Sequence, residues 1–122
     1  MRFCRCEMLI GADALENLKN SSVAVFGVGG VGGYVVEALT RSGVGRIAII
    51  DKDVVDESNI NRQLVALTST IGKNKVDVMK QRMLDINPDV KVEAHCEFYL
   101  PDNADFIELG SFDYVVDAID NV

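Results

Sequence analysis

Several residue types in this sequence suit the handling of a phosphate ester. The first is a glycine-dense run, Gly27-Val28-Gly29-Gly30-Val31-Gly32-Gly33. Gly27 permits a sharp exit from a strand, and Gly29 and Gly30 lack a Cβ, so a phosphate can approach the backbone. Gly32 lets a following helix lie close to the sheet. The start of that helix would offer unpaired N–H groups and partial positive charge to an anion. Asp51, about 20 residues on, stands where a carboxylate accepts hydrogen bonds from a ribose. Beyond it lies a polar cluster, Ser58, Asn59, Asn61, Arg62 and Gln63. Polar side chains directly after such a strand fall at the carboxyl edge, where open α/β sheets bind ligands; a solvated loop accounts for the same cluster. Lys75 is expected in the first turn of a helix, where the dipole disfavours a cation. A ligand anion answers that placement, although a solvated lysine is the commoner explanation. Asp117 and Asp120 mark the end of a late strand, and a carboxylate exposed there can hold Mg²⁺ on a nucleotide.

The elements that must position these residues follow from apolar spacing. Val23–Phe26 reads as a strand, Tyr34 to Ser42 as a helix with Gly43 as its left-handed cap, and Ile47–Ile50 as a second strand ending at Asp51. The second strand is apolar without alternation, as in a parallel sheet covered on both faces. Asp51 to Asp56 is a loop, with a short helix expected within the polar stretch that follows. Val76, Met79, Met83 and Ile86 define a helix opening at Gly72-Lys73-Asn74-Lys75 and closed by Asn87-Pro88. Val90 to Phe98 is a strand carrying His95, which is expected to be structural or at the surface. Pro101 to Leu109 is a short helix, and Tyr114 to Ile119 a fourth parallel strand. The fold class is therefore α/β, a Rossmann-like, doubly wound, mainly parallel sheet. Residues 1–21 form an N-terminal arm with a helix over Ala12–Lys19. Residues 22–122 form the nucleotide-binding half of a domain that is expected to continue past the C-terminus.

Composition narrows the class. The 122 residues make at most one domain, with 48% hydrophobic and 25% charged residues, enough for a core. A net charge of −7 disfavours direct nucleic-acid binding by this piece. No apolar run approaches the ~20 residues of a membrane span, and Met1 to Cys6 has no secretory apolar region, so neither membrane nor export is expected. Three cysteines without framework spacing point to a reducing cytoplasm. Cys4 and Cys6, two apart and without a second pair, do not make a zinc site.

With these motifs laid out, the sequence resembles the ubiquitin-activating-like (ThiF/MoeB/HesA) superfamily of adenylating enzymes. The marks are GVGGVGG, Ile50-Asp51-Lys52-Asp53, Ser58-Asn59-Ile60-Asn61-Arg62-Gln63, Gly72-Lys73-Asn74-Lys75, Ile86-Asn87-Pro88 and Asp117-Ala118-Ile119-Asp120-Asn121. Within the superfamily, the Asn-x-Asn-Arg-Gln form, Phe98 to Asp105 and the block Arg2 to Gly11 look most like the tRNA threonylcarbamoyladenosine dehydratases. The resemblance implies ATP-dependent activation of the carboxylate of threonylcarbamoyladenosine at position 37 of tRNA, followed by cyclisation with loss of water. It implies that Gly27, Gly29, Gly30 and Gly32 lie against the phosphates. Asp51 holds the ribose, with Asp53 and Ser58 in the same nucleotide site. Asn59, Arg62 and Lys75 contact the triphosphate, and Gln63 supports them. Asp120 holds Mg²⁺ beside Asn121. Arg5 matches an arginine that crosses a homodimer into the partner's site. The implied chemistry is positioning plus cationic stabilisation of a pyrophosphate leaving group, by an attacking carboxylate already ionised.

Two departures stand out: Gly33 replaces an expected serine or bulkier residue, and Cys6 stands where threonine or glutamine is common. Any CxxC pairs or acceptor cysteine of the superfamily would lie beyond residue 122, as would the tRNA contacts. Three alternatives accompany this reading. One is an adenylyltransferase acting on the C-terminus of a ubiquitin-like sulfur carrier. Another is an NAD-dependent oxidoreductase, which shares the glycine turn and Asp51 but leaves Asn59, Arg62, Gln63, Lys75 and Asp120 without a role. The last is an inactive nucleotide-binding or dimerisation fragment.

Overall fold

A computed structural model describes residues 2–97 and 108–119. Four strands, β1 (Ser22–Phe26), β2 (Arg46–Ile50), β3 (Lys91–His95) and β4 (Tyr114–Asp117), form one sheet in the order β3-β2-β1-β4. Every neighbouring pair is parallel, with Ala24 opposite both Ala48 and Val115. The expected α/β parallel sheet is what forms. Among the described residues four α-helices accompany it: α1 (Cys4–Ile10), α2 (Ala12–Lys19), α3 (Gly30–Arg41) and α4 (Lys75–Ile86).

β1 is buried along its whole length, and the alternation of its side chains supplies two cores. Val23 and Val25, with Ile47 and Ile49 of β2, face Val36 of α3 and Val76, Met79 and Met83 of α4. Ala24, Phe26, Ala48 and Ile50 face the other way, onto Phe112 and Leu109. Burying both faces is why the strands read as unbroken apolar runs. Helices α3 and α4 are joined by Glu37, whose carboxylate accepts from Arg82 and lies 3.6 Å from Arg41.

The structure corrects several sequence-based boundaries. α3 begins at Gly30 rather than Tyr34, so three glycines lie in its first turn, where low helix propensity hid them. Its end is as expected, with Gly43 at φ +93° just past the helix. α2 has the expected bounds, but Cys4–Ile10 adds a helix in a segment that had none assigned; it buries no residue, so it leaves no periodic signal. β3 ends at His95, and β4 at Asp117. The helix expected over Pro101 to Leu109 lies mostly outside the described residues, and Leu109–Ser111 form a 3₁₀ turn. Among the described residues, no helix is long and apolar enough to cross a membrane.

Candidate functional site

A cleft of about 270 Å³ opens at the carboxyl ends of β1 and β2. Its walls bring together Gly27, Gly29 and Gly30 with Asp51, Asp53, Arg62, Gln63 and Lys75. Residues from four separate stretches meet there, at the edge that the carboxyl ends of the parallel strands share.

The glycine turn is built by close backbone contact. Gly27 has φ +91°, and a Cβ on Gly32 would lie 1.6 Å from the Gly27 carbonyl oxygen. Gly29 precedes α3 without a capping side chain, so the first N–H groups of the helix have no side-chain acceptor there. The two glycines expected to admit a phosphate are not equivalent. A Cβ on Gly29 would sit 3.0 Å from the Gln63 side-chain amide, whereas among the described residues a Cβ on Gly30 would meet nothing within 4 Å. The open approach is over Gly30.

Asp51 has a role in the fold that sequence reasoning missed. Its Oδ2 accepts the Val28 N–H at 2.9 Å, and its Oδ1 accepts the Asp53 N–H at 2.9 Å. It ties the glycine turn to the loop after β2. Each carboxylate oxygen can accept two hydrogen bonds and here accepts one of those just named, so acceptor capacity remains for a ribose hydroxyl.

Two of the expected site cations line the cleft. Lys75 occupies the first position of α4, as expected, and its side chain is only 7% exposed. Its Nζ lies 3.9 Å from Asp53 Oδ2, and Lys52 Nζ lies 3.2 Å from Asp53 Oδ1. Arg62 is exposed and donates to the Ser58 carbonyl at 3.0 Å and to Asn61 Oδ1 at 2.9 Å. Among the described residues it pairs with no carboxylate. Next to it, Gln63 Oε1 is buried and has no hydrogen-bond partner among the described residues.

Ser58 and Asn59 do not reach the cleft wall. The Ser58 hydroxyl donates to Asp56 Oδ2 at 2.5 Å, and buried Asn59 accepts the Asp56 N–H at 2.9 Å. They shape the 3₁₀ turn Glu57–Asn59 that carries Arg62 to the edge. The Ser58 hydroxyl and N–H, with Lys75 contributing least, hold the Asp56 carboxyl below its ordinary range. Gly32 lies beneath the turn, and Arg5 is exposed on α1, outside this cleft. Asp120 and Asn121 lie outside the described residues. Lys52 and Glu97 also line the cleft. Glu97 reaches the same edge because β3 lies next to β2, an adjacency that the structure supplies. At that end, burial and the carboxylates of Asp77, Asp51, Asp53 and Glu97 push the Cys96 thiol up, away from thiolate chemistry.

The ThiF family model matches residues 3–122. The tRNA threonylcarbamoyladenosine dehydratase of Bacillus subtilis (strain 168) is 55% identical over 122 residues, covering 99% of this chain and 48% of its own length. The crystal structure of the E. coli enzyme TcdA in complex with ATP matches with a TM-score of 0.93 at 41% identity, covering 99% of this chain and 50% of that one. A sulfur carrier protein adenylyltransferase of Thermus thermophilus is 40% identical over 112 residues, covering 92% of this chain and 41% of its own length. The chain spans about half the length of the curated relatives it matches.

Proposed function

The chain belongs to the ThiF family, and from that premise we propose that it supplies the ATP site of an enzyme that activates a carboxylate by adenylation. The observation that carries the proposal is the pairing of an open glycine turn with two cations in one cleft, buried Lys75 and an Arg62 that pairs with no carboxylate among the described residues. A nicotinamide site needs the turn and Asp51 but has no use for those cations.

The phosphates of ATP lie over Gly30 and the start of α3, flanked by Arg62 and Lys75, and Asp51 takes the ribose hydroxyls. The acceptor's carboxylate oxygen attacks the α-phosphorus. The bond to the bridging oxygen breaks, and pyrophosphate leaves with the electron pair while Arg62 and Lys75 stabilise its charge. Gln63 fills the space over Gly29 and keeps the phosphates to the Gly30 side. Mg²⁺ belongs to the same proposal, through Asp120, and when bound it neutralises phosphate charge.

The acceptor we propose is the threonylcarbamoyladenosine carboxylate of tRNA. Its activated carboxyl is attacked within the same nucleoside and releases AMP, so the net change is loss of water. The similarity to dehydratases of B. subtilis and E. coli supports this choice over a sulfur carrier. The tRNA is held by the part of the relatives' length that this chain does not span, in keeping with its net charge of −7, and the compartment is the cytoplasm. The working unit is a homodimer, and the exposure of Arg5 outside its own cleft supports a role in the partner's.

The test is AMP release by the protein given ATP and tRNA that carries threonylcarbamoyladenosine. Arg62→Ala is expected to lower the rate at least about a hundredfold while the melting temperature stays within a degree or two of wild type, because the side chain is exposed. Full activity in that variant would remove the polar cluster from the proposal. Mg·ATP, but not NAD, is expected to raise the melting temperature of this chain, since a ligand at 100 times its Kd adds about 2.7 kcal/mol.

A further inference from the structure

Asp53 has a placement that the proposed activity does not explain. Its half-exposed carboxylate stands between two ammonium groups, Lys52 at 3.2 Å and Lys75 at 3.9 Å. Lys75 is almost wholly buried, and among the described residues Asp53 is the carboxylate it reaches. A buried ammonium is costly without compensation, yet 3.9 Å is beyond hydrogen-bond length. The backbone fixes this spacing. Asp53 N–H donates to Asp51 Oδ1 at 2.9 Å, and the Asp53 carbonyl accepts the Lys75 N–H at 3.0 Å. Val55 N–H donates to the Lys73 carbonyl at 2.8 Å, and Val54 pairs with Asn74 in an antiparallel bridge. The two charges are thus mounted on paired backbones and stand 3.9 Å apart.

We infer that Asp53 is a counter-ion that competes with phosphate for Lys75 and hastens the departure of pyrophosphate. With no anion in the cleft, its carboxylate partly compensates the buried lysine. A phosphate oxygen able to reach hydrogen-bond distance of Lys75 displaces that weaker pairing. It then sits beside a like charge whose backbone is pinned and which Lys52, 3.2 Å away, also pairs. Lys75 is 7% exposed, and beside a buried ammonium such charges interact more strongly than in bulk water. After adenylation the repulsion falls on free pyrophosphate, no longer tethered to the nucleotide, and Asp53 recovers Lys75 as the leaving group departs. This inference rests on the ATP-cleaving proposal and concerns its leaving group only.

The experiment is calorimetric titration of pyrophosphate, in EDTA so that no metal takes part, into wild type, Asp53→Asn, Lys75→Ala and the double variant, with ATP titrated in parallel. Asp53→Asn removes the charge and keeps the shape. It is expected to tighten pyrophosphate binding about tenfold when Lys75 is present and to change nothing in the Lys75→Ala background. Unchanged or weaker pyrophosphate binding in a folded Asp53→Asn protein that still binds ATP overturns the inference alone. Tightening that persists without Lys75 overturns it as well. Failure of wild type to bind either ATP or pyrophosphate overturns the adenylating proposal, and this inference with it.

Discussion

At Gly32 there is no volume for a side chain. A Cβ would lie 1.6 Å from the Gly27 carbonyl oxygen and 3.2 Å from the Ala118 Cβ. Gly32→Ala must push α3 off the sheet or break the turn, and the expected loss is about 3 kcal/mol or more, measured by urea unfolding. Gly30→Ala meets open space and is expected to leave stability within about 1 kcal/mol while weakening ATP binding. A variant pair that behaved alike would deny the distinct roles drawn for the two positions. The sequence shows that a run of glycines exists, but not which one is open. That depends on Gln63, which arrives from a loop more than thirty positions later in the chain. Likewise Asp51 was legible as an acid at a strand end, whereas its grip on the Val28 N–H depends on how close β1 and β2 run. Buried Lys75 was the reverse case. Its misfit at a helix start was visible in the sequence, and the structure adds its burial and its neighbour.

Among the elements, α3 and α4 depend on Glu37. The Arg82 hydrogen bond, opposed by burial and helped by the charges of Arg82 and Arg41, holds the Glu37 carboxyl below its ordinary value of 4.5. A carboxylate whose pKa is depressed in the folded state contributes stability in full above its unfolded pKa. That contribution is lost as the pH falls through the folded value. Wild type is therefore expected to lose stability relative to Glu37→Gln as the pH is lowered below about 4.5, with the difference constant from pH 6 to 8. Thermal melts of the two proteins across pH 3 to 8 check this, and parallel curves below pH 4.5 would remove the ion pair from the account. The pairing itself was not legible, since Glu37 and Arg82 are 45 positions apart. Helix α4 was legible almost to its ends because Val76, Met79 and Met83 repeat at helical spacing on a buried face. The start of α3 was not, because tertiary packing overrides the poor propensity of glycine. Helix α1 was not, because it buries nothing.

For the whole molecule, the class of sheet could be read from apolar strands without alternation, and both faces of β1 and β2 are indeed covered. The lateral order could not, because β3 and β4 join opposite edges and nothing in either strand's own composition says which. That order has a consequence in time. A ribosome delivers β1, α3, β2, α4 and β3 in sequence, and each can dock on what is already folded. β4 closes the other side of β1, and the bond from the Ser22 N–H to Asp113 spans 91 positions. Contacts of such separation form late. During synthesis one edge of β1 therefore waits open, with its hydrogen-bonding groups unpaired, until β4 emerges. Pulse-labelled hydrogen exchange during refolding is expected to protect the β1–β2 amides before those of β4. The nascent chain carries an exposed, aggregation-prone strand edge while the 91 positions between Ser22 and Asp113 are made, a burden that would fall on the chaperones rather than on the finished protein.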